Sequence, residues 1–200
     1  MEKVKKFRFV FACVPFLRMA AVCNNHAFGI ADEKSDIDIF IIAKKGRMFI
    51  ARAFLTLLLY VFGIKRHGNK VSGRFCLSFF VDESALNLSQ IAIKKDIYLA
   101  YWVKKLVPIV GGEVVDNFES KNKWICGILG FGDFKINREL MVGRSVIGKF
   151  FEIVLLPIAW FIEPVLRNWQ TKRAVKKSEK LKDKSGTIIS KSMLKFHDDD

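Results

Sequence analysis

Residues 35–42 read Ser-Asp-Ile-Asp-Ile-Phe-Ile-Ile, and this octad constrains the chain more than any other segment. It is rich in β-branched residues, so it reads as a strand that begins at its acidic end. In a strand, positions i and i+2 project from one face, which sets the Cα atoms of Asp36 and Asp38 about 6.5–7 Å apart. Two carboxylates held that way suit a hard cation such as Mg²⁺, which takes oxygen ligands and keeps several waters. In a two-metal site such a pair serves the attacking and leaving oxygens of a phosphoryl transfer. An exposed acidic strand edge is the plainer alternative.

Around the octad the pattern alternates helix and strand. Lys3, Lys5, Lys6 and Arg8 give a first helix a basic face, and Pro15 breaks it before a short strand at 19–23. Residues 47–64 predict a mostly buried helix, too short and too interrupted by Arg47 and Arg52 to span a membrane. A basic loop at 65–70 leads to a second strand at 74–81, stopped by Asp82-Glu83-Ser84. Residues 97–107 are helical in pattern and end before Pro108, and 117–124 open a further helical or irregular stretch. After Gly143 the composition changes. Residues 146–169 are apolar almost all round despite Pro157 and Pro164, and 171–195 carry nine Lys or Arg against Glu179 and Asp183. The expected organisation is therefore a domain over 1–143, an apolar helical segment over 144–170 and a mobile or loosely helical basic tail over 171–200. Cutting after Trp169 is expected to leave the fold intact.

The stretch from 18 to 82 resembles the polymerase-β-like nucleotidyltransferase superfamily. That family places a Gly-Ser pair after its first strand, a Gly four residues past the Ser, and its first Asp eleven past it. Here Asn25 takes the Ser position, Gly29 falls four later and Asp36 eleven later, with Asp38 completing the pair. Ser35 to Phe40 match the family's Ser-Asp-hydrophobic-Asp-hydrophobic-hydrophobic element. The resemblance implies an α/β (α+β) fold, a mixed sheet flanked by helices with a C-terminal helical extension. It also implies Mg²⁺ held by Asp36 and Asp38, and transfer of a nucleoside monophosphate from a nucleoside triphosphate to an acceptor hydroxyl. Asn24-Asn25 replaces Gly-Ser: Asn tolerates left-handed backbone, and an Asn amide donates to a phosphate oxygen as a hydroxyl does. Asn24, Asn25, Gly29 and Ser35, with Arg66 and Lys70 of the basic loop, are the expected nucleotide-binding residues.

A third acid is implied on the following strand. Strict alternation puts Arg74, Cys76, Ser78, Phe80 and Asp82 on one face, so Asp82 is the acid in phase, at the far end. Its other reading is a strand-terminating Asp. Because Gly-Ser is eroded and no acid sits within the strand, a second function stays open: the same fold binding nucleotide or a protein partner without turnover.

Lys and Arg number 34 against 20 acids, for a net charge of +14. That balance favours polyanionic partners without choosing among them. For the tail these are a nucleic acid or an anionic membrane surface; for 146–169, packing on the core or a second subunit comes first and an interfacial role second. Cys13, Cys23, Cys76 and Cys126 lack zinc or dithiol spacing and predict reduced thiols in a cytoplasmic protein, peripheral to a membrane if the interfacial reading holds.

Overall fold

The computed structural model describes residues 1–179 and 187–195. Its centre is a mixed α+β sheet whose six strands, among the described residues, run in the order β4-β1-β2-β3-β6-β5. β1 (Leu17–Val22) lies antiparallel to β2 (Ile37–Ala43), and β2 lies parallel to β3 (Phe75–Asp82). β4 (Val107–Val110) borders β1; β6 (Met193–Lys195) borders β3 and pairs outward with β5 (Ile188–Ile189), all antiparallel. The C-terminal end of β1 thus meets the N-terminal ends of β2 and β3.

Helices cover both faces. α1 (Glu2–Ala12), α3 (Met48–Val61) and α7 (Val146–Ser178) pack on one, where Ile37, Ile39 and Ile41 point. α4 (Ile97–Lys105), α5 (Glu113–Lys121) and α6 (Trp124–Leu129) pack on the other, over Phe40, Ile42, Phe79 and Val81. α2 (Asn24–Phe28) is a five-residue turn of helix between β1 and β2. The parallel pairing of β2 and β3 needs a crossover, and the apolar α3 supplies it.

The sequence left 108–112 as a break, but Val107–Val110 forms an edge strand. Pro108 is tolerated there because an edge strand has backbone groups outside the ladder. The basic tail also differs from expectation. Residues 171–178 continue α7, and Met193–Lys195 return to the sheet along Phe79, Phe80 and Val81. Gln170 bridges the Arg52 guanidinium and the Phe49 carbonyl, and Ala174 is buried. Truncation after Trp169 would therefore remove part of the fold. Residues 180–186 and 196–200 of that tail lie outside the described residues.

α7 is held by polar residues on its inner side. Ser145 caps it, its hydroxyl accepting from the Gly148 N–H at 3.0 Å. Gly148 lets it approach α1 closely, since a Cβ there would lie 2.6 Å from the Ala12 carbonyl oxygen. Glu152 accepts from Arg18 at 2.7 Å and from Arg144. Glu163 accepts from the Phe49 and Ile50 N–H groups, both at 3.0 Å. Those are two of the first-turn donors of α3, which has no side-chain cap of its own. No helix among the described residues is long and apolar enough to cross a membrane.

Candidate functional site

At the shared mouth of β1, β2 and β3, three side chains converge. One ligand atom from each of Asp36, Asp38 and Cys76 lies within 4.8 Å of the others. Asp38 pairs in register with Cys76 across the parallel ladder, so both side chains emerge on the same face. Asp36 is half-buried one residue before β2 begins and receives the Arg66 guanidinium at 2.7 Å. That reach is set by the backbone: the Arg66 N–H donates to the Phe75 carbonyl, which fixes the basic loop against the start of β3.

Asn24 provides the fourth wall. Its backbone is left-handed, at φ 53°, as the sequence predicts for an Asn in the glycine position. Its amide nitrogen donates to Asp38 at 2.8 Å, and its oxygen accepts from the Trp102 indole N–H at 2.8 Å. Burial, and then the charge of Asp36, push the Asp38 carboxyl above its usual range, against the hydrogen bonds from Asn24, Cys76 and Ser78. Burial, with the nearby carboxylates adding to it and Arg66 opposing it, also pushes the Cys76 thiol up.

The other expected residues separate into two groups. Gly29 closes α2 at φ 78°, and Asn25 beside it is exposed, its carbonyl accepting from the Ile30 N–H. Ser35 does not face the carboxylates: its hydroxyl donates to Asp32 at 2.6 Å in a local turn. Lys70 is exposed, and its backbone pairs with that of His67. Asp82 is not brought to the site. It pairs with Ala43 at the opposite end of the sheet, about 20 Å along the strand from Cys76. An irregularity between Cys76 and Phe79 also reverses the alternation. Phe80 therefore faces the α1–α3–α7 side, with Asp82 in phase with it and opposed to Cys76. There Asp82 accepts from the N–H groups of Gly46 and Ser84, a structural task.

From Cys76 and Ser78 a groove of about 900 Å³ runs past Arg66 toward α3 and α7. Among the described residues, β6 borders β3 from Phe79 to Val81, beyond the groove. Arg52, Lys65, Arg66, His67 and Arg173 line it with Tyr60 and Trp169, and among the described residues no acid lines it.

The donors suit Mg²⁺. Two carboxylates at an open strand mouth leave the remaining positions to water and phosphate oxygens, the usual arrangement for this ion. Cys76 completes the group with a sulfur, a donor that favours softer metals than Mg²⁺. Comparison of the chain with protein-family models, curated proteins and solved structures gave no match.

Proposed function

We propose that the chain is a Mg²⁺-dependent nucleotidyltransferase of the polymerase-β-like type, moving a nucleoside monophosphate from a nucleoside triphosphate to an acceptor hydroxyl. What supports this reading is the convergence of Asp36 and Asp38, next to the left-handed turn at Asn24, on one strand mouth. Asp36 and Asp38 would hold the ion, which when bound offsets the charge that develops on the phosphates. Asn24 keeps Asp38 oriented. Arg66, now on Asp36, exchanges that carboxylate for phosphate oxygens when the triphosphate enters. The acceptor oxygen attacks the α-phosphorus, and pyrophosphate leaves toward the basic loop. The acceptor's proton passes to Asp38 or to water, because the residue facing Asp38 is Cys76 rather than a carboxylate.

That same substitution favours a second reading, binding of nucleotide without turnover. Incubation with labelled nucleoside triphosphates and Mg²⁺ across hydroxyl acceptors separates the two, with calorimetry of Mg²⁺-nucleotide binding alongside. Transfer predicts a labelled product that Asp36→Asn and Asp38→Asn each reduce about a hundredfold or more. Binding with no product supports the second reading. Equal activity in all three proteins removes both carboxylates from the mechanism.

A further inference from the structure

Over its apolar stretch α7 turns no charge outward, while Leu155, Ala159, Ile162 and Leu166 pack inward on the core. Between Lys149 and Arg167 the charged residues are Glu152 and Glu163, and both point inward to bonded partners. Its outer side over that stretch is apolar, with Trp160 at 68%, Phe161 at 67% and Val165 at 68% exposure. A helix of this kind usually turns its apolar stripe to the core and its charges to water. Seventeen residues of uncharged surface make a strip about 25 Å long.

The strip widens sideways. Phe151 meets Phe54 of α3, ring to ring at 6.4 Å, and the C-terminal end of α3 exposes Leu57, Tyr60 and Val61. Phe62 beyond it stacks edge-on with Phe9 of α1 at 5.6 Å. The rim is cationic: Lys5 and Lys6 on α1, and Lys172, Arg173 and Lys176 on α7, are exposed. Among the described residues of these three helices, Glu2 is the one exposed acid.

We propose that the outer side of α1, α3 and α7 docks on an anionic lipid bilayer, with α7 lying in the plane of the interface. The layering fits. Apolar side chains enter the acyl boundary, Trp160 and Trp169 sit at headgroup depth, and the lysines meet lipid phosphates. α7 cannot cross the bilayer, and its inward glutamates keep it on the protein, so it binds lying down. A second copy is the poorer occupant, because a chain of net charge +14 repels itself where its cationic rims would meet. The proposal is independent of the reaction at Asp36 and Asp38.

The full chain is floated with phosphatidylcholine vesicles, with and without a phosphatidylserine fraction, at low and high salt. Flotation with the anionic vesicles, weakened by salt, is expected, and quenching of tryptophan fluorescence by lipids brominated on the acyl chain should accompany it. Phe150→Glu with Phe161→Glu should weaken partitioning about tenfold or more, while circular dichroism stays unchanged because both side chains point outward. Replacing Trp160 and Trp169 with Phe should abolish most of the quenching, a readout that does not depend on the charged variant folding. Absence of flotation, or flotation without quenching of these tryptophans, overturns the proposal. So does a concentration-dependent dimer, dissolved by Phe161→Glu, that leaves vesicles unbound; it would assign the face to a second copy.

Discussion

At Asn24 a left-handed backbone turns β1 into α2, while the side chain ties Asp38 to Trp102 across the mouth of the sheet. Asn24→Ala deletes both hydrogen bonds and puts an ordinary Cβ at positive φ. Denaturant unfolding should show a loss of about 1–3 kcal/mol. Asn24→Gly deletes the same bonds but relaxes the backbone, so it should recover roughly 1 kcal/mol of that loss. This residue was legible, because few side chains besides Asn tolerate the conformation. Cys76 was not singled out: alternation put it on a face with Ser78 and Asp82, and the β2–β3 register that sets it opposite Asp38 is visible only in the fold. Asp82 was not legible: one bulge between Cys76 and Phe79 inverts every later position, and nothing in Leu77-Ser78 marks it. Ser35 failed for a local reason. Asp32, three residues back, competes for its hydroxyl and N–H.

Among the elements, α7 shows how far composition misleads about direction. Read linearly, Glu152 and Glu163 interrupt an apolar run; folded, they are its attachments to the core. Although burial pushes the Glu152 carboxyl up, the hydrogen bond and charge of Arg18, with Arg144, hold it at about 2, against an ordinary 4.5. A depressed carboxylate binds fewer protons in the fold than in the unfolded chain. Its contribution to stability is therefore complete above about pH 4.5 and is lost as the pH falls toward 2. In a pH series of thermal midpoints, the wild-type advantage over Glu152→Gln should be largest near neutrality and shrink across that window. A constant offset at every pH would mean that packing, and not the ion pairs, holds this end of α7. Both prolines were visible in the sequence, yet the helix runs through them. Pro157 and Pro164 lie on the exposed side, where a carbonyl that loses its partner can tilt outward.

For the molecule as a whole, the mixed sheet and its site-bearing mouth followed from the β1–turn–β2 pattern and the apolar crossover α3. The far edge did not, because a three-residue strand inside a lysine-rich segment carries too short an alternation to register. Its consequence is measurable. A chain ending at Glu179 loses β5 and β6 and leaves Phe79, Phe80 and Val81 unpaired along the edge of β3. It should unfold at a lower temperature than the full chain and aggregate in light scattering. Unchanged stability would make β6 dispensable. Seen in the order of synthesis, the same pairing imposes a delay. β2 and β3 can zip together as soon as α3 has been made, but the strand that covers β3 is translated only after the whole of α7. Until then the growing polypeptide carries an open, phenylalanine-rich edge, the kind of surface that nascent-chain chaperones shield.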